Sequence, residues 1–328
     1  MNRYHVFTAI DAANYTPHRL HTEACAWVEK NCYIDLIIEV LHAQGLEPMA
    51  MLPFTLALNF EGDQWTFFKP SHSELRDLYG LNIQELSIWR PLIEHAVEHL
   101  GAGRLISVEA DAYWLPDTSG SDYRHQHVKT TIALADLDVD KQRLGYFHNA
   151  GYYELADEDF RQLFRLDHPN DPSYLPLYAE LIHLDRVVQR DHAELVKRSY
   201  ALLQKYLDLR PEDNPVTRFA TRFAQELPRM QAQGLPYYHA WAFNNTRQLG
   251  AAFELAAAYL IWLEQAGIQG LSPAISCFEA IANSNKSLIL KVARAVNSGR
   301  SLDTTALFED MALAWHHGMD CLDGVVKR

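Results

Sequence analysis

At 328 residues the chain has room for two domains of ordinary size, and 48% hydrophobic with 22% charged residues is the composition of a soluble globular protein. The net charge of −13 argues against nucleic acid as the main partner and against a basic membrane-binding surface. The four cysteines (Cys25, Cys32, Cys277, Cys321) form no CxxC pair and read as reduced thiols of a cytoplasmic protein. The first residues lack an apolar signal core, and no apolar run reaches membrane-spanning length.

Residues 1–22 are rich in turn formers and predict an irregular lead-in. A helix over 32–44 follows, apolar on nearly every side, its polar stripe being Asp35, Glu39 and His42. MAMLPFTLALNF and QWTFFKP carry strand character around the turn Glu61-Gly62-Asp63. SELRDLYG reads as a short helix ended by Gly80, and IQELSIWRPLIEHAVEHL as a longer one stopping at Gly101. Three strand-like runs come next: RLISVEADAYWL, QHVKTTIALADL and QRLGYFHNAGYYEL.

A Pro/Asp-rich stretch, LDHPNDPSYLPL, marks a change of character. Helical period dominates after it, with helices expected at about 174–208, 213–232, 237–266, 272–298 and 303–322. Helix first and then a meander of strands is α+β order. The predicted organisation is an α+β domain at 1–160 and an all-helical domain at 161–328.

Cys32 is the leading candidate for chemistry. A thiol on the first turn of a buried helix lies near unpaired N–H groups and the positive end of the macrodipole, where cysteines become nucleophiles. The same residue also reads as a small buried hydrophobe. His127, leading into an apolar strand, is the candidate base, and Asn149 on the following strand the candidate orienting group. Asn149 has a second reading as a turn residue before Gly151. No glutamine lies shortly before Cys32, so Asn31 or the backbone N–H groups of the helix start are the candidate oxyanion donors.

NCYIDLIIEVLHAQG, VEADAYWLP and the His127-led strand together resemble the papain-like, C39-peptidase-like cysteine enzymes, in particular the butirosin-biosynthesis acyltransferase type of N-terminal domain. The likeness covers about 20–160. It implies a papain-like fold with Cys32 as nucleophile, His127 as base and Asn149, where the family has Asp, as orienter. FNNTRQLGAAFELAAAYLIWLEQ and CFEAIANSNKSLILKVAR are similar to an uncharacterised bacterial family whose members are commonly encoded beside amino acid–carrier protein ligases. That likeness implies an acyl carrier protein as partner, its phosphopantetheine thioester as donor, and a small amine or hydroxyl compound as acceptor. Arg294 and Arg300 are candidates for a local basic patch serving such an acidic partner. No resident cofactor or metal is implied.

Other constellations compete. His95-Ala96-Val97-Glu98-His99 fits the inverted zinc-peptidase pattern, although its histidines flank a buried helical stripe. His125 and His127, two apart on a strand, could chelate a metal with Asp111, Asp122 or His148; His125 is otherwise a candidate substrate-binding residue beside His127. Asn245, Arg247 and Glu254 form a candidate substrate-binding group in the helical half, with Gly250 and Ala251 permitting close approach. The same residues also read as a network locking two helices. The expected function is therefore a cysteine acyl or aminoacyl transferase. A cysteine amide hydrolase using the same triad and a non-catalytic binding protein are the alternatives.

Overall fold

The computed structural model describes residues 3–7, 10–169, 171 and 175–326. The chain divides into two units: Met1–Arg19, Asn31–Glu47 and Ser71–Arg190 form one, and Leu20–Lys30, Pro48–Pro70 and Asp191–Arg328 form the other. The first unit is built on a sheet and the second is largely helical. The division falls at 190 rather than 160, and two early stretches belong to the helical unit. Part of the Pro/Asp-rich stretch (170 and 172–174) lies outside the described residues.

In the sheet unit the elements are β1 (Arg3–His5), α1 (Cys32–Ala43), α2 (His72–Tyr79), β2 (Asn82–Glu85), α3 (Leu92–Gly101), β3 (Leu105–Asp111), β4 (Lys129–Asp138), β5 (Arg143–His148), β6 (Gly151–Ala156), α4 (Asp157–Leu163) and β7 (Ala179–His183). The strands run β2-β7-β3-β4-β5-β6, all neighbours antiparallel, with β1 pairing the far end of β4. Residues alternate between faces. Ile106, Val108, Ile132, Leu134 and Tyr146 pack with Leu92 and Ala96 of α3 and Phe160 and Leu163 of α4. Ser107, Thr131 and Glu180 point the other way, and α1 lies there.

α1 is buried from Tyr33 to Leu41, including its carboxylates. Glu39 escapes isolation because it accepts from the Tyr15 hydroxyl at 2.5 Å and the His18 N–H at 3.0 Å. The stripe predicted as polar is thus covered by the stretch at 10–19, and its charge is held by hydrogen bonds.

The helical unit contains α5 (His192–Asp208), α6 (Pro215–Gln233), α7 (Leu235–Asn244), α8 (Thr246–Gln265), α9 (Ser272–Ser298) and α10 (Thr305–Val326). α8 is its core, buried along almost its whole length. The apolar run predicted as a strand is instead a 3-10 helix at Pro48–Ala57, buried up to Leu56. It interrupts its own pattern with Pro53, and Thr55 donates to the Leu52 carbonyl at 2.8 Å. Two further predicted helices differ. The N-terminal part of 83–100 belongs to β2, and the N-terminal part of 174–208 contains β7, which completes the sheet. Among the described residues no helix is long and apolar enough to cross a membrane.

Candidate active site

α1 starts where Asn31 adopts extended backbone and its Oδ1 accepts from the N–H groups of Tyr33 at 3.1 Å and Ile34 at 2.9 Å. Asn31 is therefore the helix cap, and its Oδ1 engages two of the backbone amides named above as oxyanion donors. The Cys32 N–H, on the same first turn, is not one of the amides that Asn31 caps. Cys32 is half-buried, and its Sγ lies 3.7 Å from Thr131 Oγ1 on β4.

The structure does not assemble the triad Cys32–His127–Asn149. His127 sits four residues before Thr131, at the strand mouth, where its Nδ1 is 2.6 Å from Asp111 Oδ2. Its ring stacks on Tyr113 at 4.4 Å between centroids. Register explains the separation. Thr131 pairs with Glu109 and Lys129 with Asp111, so the residue that Cys32 touches lies two pairs further into the ladder than the end where His127 meets Asp111. Asn149 forms the turn between β5 and β6 with φ 44°, a left-handed position that asparagine tolerates. The orienting group of His127 is Asp111. A carboxylate only accepts, so Nδ1 carries the proton and Nε2 is the basic nitrogen. Sequence spacing weighed Asp111 only as a metal ligand, because the β3–β4 pairing that brings it to His127 is not visible in one strand alone.

His127 and Asp111 border a cleft of about 240 Å³ lined also by Trp114, Gln162, Arg165 and His168. Backbone strain gathers nearby, with Arg124 at φ 59° and Arg165 at φ 53°. Arg124 lies 4.4 Å over the Trp114 ring and donates to Asp159 at 2.6 Å, fixing the cleft wall. His125 is exposed in the preceding turn, its N–H donating to the Asp122 carbonyl at 2.9 Å. His148 points to the opposite face of the sheet from Cys32. Its Nδ1 is 2.6 Å from Asp117 and its Nε2 2.7 Å from Thr130 Oγ1, all within the core.

A second polar cluster lies under the first turn of α1, and nothing in the sequence pattern announced it. Glu180, 1% exposed, accepts from the hydroxyls of Tyr33 (2.9 Å), Tyr178 (3.0 Å) and Ser107 (3.2 Å). His72 Nε2 is 2.8 Å from the Tyr33 hydroxyl and 3.5 Å from Glu180. Burial and the neighbouring carboxylate push the Tyr33 phenol far above its ordinary range, and the Tyr178 phenol up to about 12. Both remain donors. The residues come from α1, α2, β3 and the β7 edge, so only the folded sheet unites them.

Asn245, Arg247 and Glu254 are engaged within the helical unit. Glu254 accepts from the N–H groups of Ala26 at 2.6 Å and Trp27 at 3.1 Å, and Arg247 donates to the Glu29 carbonyl at 2.9 Å. Asn245 Nδ2 donates to the Trp241 carbonyl at 3.1 Å. The close approach that Gly250 permits is taken by Trp27. Glu254 and Arg247 thus hold the segment 26–29, the interaction network that the sequence also allowed, and Asn245 bonds back to α7. In the 95–99 motif, His95 is buried and Glu98 pairs with Arg90, so the three side chains do not converge. Among the described residues no three His, Cys, Asp or Glu side chains are placed to hold a metal ion.

No curated protein matches the chain. The DUF1839 N-terminal domain matches residues 16–184 and the DUF1839 C-terminal domain matches 192–324, a junction that falls between β7 and α5. With most of its length covered by these two matches, the chain belongs to the DUF1839 family.

Proposed function

We propose that the chain is a cytoplasmic, thiol-dependent acyl or aminoacyl transferase with a papain-like sheet domain. One observation carries this: a half-buried cysteine stands at the head of a buried helix laid on an antiparallel sheet. The donor class is a phosphopantetheine thioester on a carrier protein. The Cys32 thiolate attacks the thioester carbonyl, the carrier C–S bond breaks, and the released thiol keeps the proton that Cys32 gave up. The Cys32 N–H supports the oxyanion. An amine or hydroxyl acceptor then attacks the acyl carbon, its proton passing to His127 Nε2, and the Cys32 C–S bond breaks. Asp111 holds the imidazole for that step. His127 serves the acceptor rather than the sulfur, since its Nδ1 is held by Asp111 while Cys32 Sγ contacts Thr131 four residues further along the chain.

The same separation favours one other chemistry, direct attack on the thioester by an acceptor that His127 deprotonates. The two readings part in one experiment. The protein is incubated with an acylated N-acetylcysteamine thioester without acceptor, quenched and mapped by mass. An acyl group on Cys32, absent in Cys32→Ala and persistent in His127→Ala after acceptor is added, is expected. Undiminished turnover by Cys32→Ala would establish direct transfer. Release of free acid by the wild type alone would mark a hydrolase, and no reaction in any sample a non-catalytic binding protein.

A further inference from the structure

The helical unit carries a surface whose charge runs against the whole chain. Between 280 and 302 the sequence holds Lys286, Lys291, Arg294 and Arg300 and no Asp or Glu, although the net charge is −13. All four are exposed. Lys286, Leu290 and Arg294 follow at i, i+4 and i+8 along α9 and share one face, with Leu290 54% exposed between the two cations. The stretch from 227 to 253 also lacks acids and contains the exposed Arg229, while its Arg247 is engaged by Glu29. It is tied to α9 by Tyr238, which donates to the Ile289 carbonyl at 2.8 Å, and to the residues just past α9 by Gln231, which donates to the Arg300 carbonyl at 3.1 Å. The acid preceding the 227–253 stretch, Glu226, is buried and neutralised by Arg222, and on α9 the exposed Glu279, two turns before Lys286, bounds the cationic face. Asp303, Glu309 and Asp310 follow at the start of α10 and bound the patch on the chain's other side.

The geometry points to this α9 face as the docking surface for a compact acidic protein, the thioester-bearing carrier of the function proposed above, on which this inference rests. Charge complementarity selects the class. A small acidic domain presents carboxylates that complement the cations of one helix face, and it is the class of donor that the proposed function supplies. Leu290 gives the centre of the face an apolar contact that a protein can bury and a polyphosphate cannot.

The test uses the full chain and a purified, phosphopantetheinylated acidic acyl carrier protein, with binding followed by fluorescence anisotropy. The wild type should bind, weaken steeply with added salt, and lose affinity by about tenfold or more in Arg294→Glu/Arg300→Glu. Arg294→Lys/Arg300→Lys should retain binding, and a thermal melt of each variant confirms folding. No binding by the wild type, or charge-reversal variants that bind as well as it does, overturns the proposal. So does charge-dependent binding of a DNA duplex or phosphatidylglycerol vesicles in place of the carrier. Acylation of Cys32 by the small N-acetylcysteamine thioester needs no docking. A chain that is acylated but does not bind carrier loses this surface and keeps the thiol chemistry; one that binds carrier and is never acylated does the reverse.

Discussion

His127 and Asp111 meet at the ends of two paired strands, Nδ1 to Oδ2 at 2.6 Å, with the imidazole flat against Tyr113. The carboxylate fixes the tautomer and the aromatic ring fixes the plane, so Nε2 has a defined direction at the rim of the cleft. Asp111→Ala is therefore expected to slow discharge of acyl-Cys32 to the acceptor by about 10²-fold or more, while leaving formation of the adduct intact. Single-turnover mass spectrometry separates the two steps. Asn149→Gly, at a left-handed turn position, should change neither step. Equal loss in both steps for Asp111→Ala would show that the dyad acts on Cys32 after all.

What could be read in advance follows from physics that acts locally. The helix beginning at Cys32 and stopping near Gly45, the strands at 105–111 and 129–138, and most of α6, α9 and α10 announce themselves by periodicity and breakers. The Pro48–Ala57 stretch does not, because an apolar run buried on every side has no period to betray it. Ala179–His183 reads as the start of a helix, and only its pairing with β2 and β3 makes it a strand. The site divides in the same way. Cys32 and His127 stand out because each begins an element. Asp111, Thr131 and Glu180 acquire meaning only from cross-strand register, which one sequence does not display. Arg247 and Glu254 stood out for their shared helix face, and that face holds Trp27's segment, a contact across more than two hundred residues.

Trp27 and Gly250 form the tightest of those contacts. A Cβ at 250 would lie 2.5 Å from Trp27 Cζ2, and Trp27 Nε1 donates to the Ala282 carbonyl at 3.3 Å. Gly250→Ala should cost about 1–3 kcal/mol by overpacking. Trp27→Ala should cost about 3–5 kcal/mol. In the double variant the alanine at 250 no longer meets an indole, so the combined loss should fall short of the sum. Urea denaturation of the four proteins measures this; strict additivity would show that the indole moves aside at no cost.

The histidines of α3 make the sheet unit acid-sensitive. Burial holds His95 below its ordinary value, assisted by Arg90, and burial does the same for His99. A lowered folded value means that the unfolded chain takes up protons first. The stabilisation is then complete above about pH 6.5 and is lost as pH falls from there toward the lower folded values. Urea midpoints at pH 8, 7, 6 and 5 should decline along that limb, and His95→Leu should flatten it. An unchanged slope in the variant would assign the acid sensitivity to other groups.

Glu180 anchors the turn that presents Cys32. Its buried carboxylate collects Tyr33, Ser107 and Tyr178, and Tyr33 is the neighbour of the nucleophile on the helix. Removing the carboxylate takes an acceptor from three hydroxyls at once, leaving that of Tyr33 with His72 Nε2, whereas removing one hydroxyl leaves the acid with two donors. Glu180→Ala should therefore cost about 3 kcal/mol or more, and Tyr33→Phe about 1 kcal/mol. The helix head should loosen with the loss of its anchor, so iodoacetamide should label Cys32 faster in Glu180→Ala than in the wild type under native conditions. Labelling at the wild-type rate in a destabilised variant would mean that the Asn31 cap alone positions the thiol. In that case the carboxylate cluster supports the sheet and not the site.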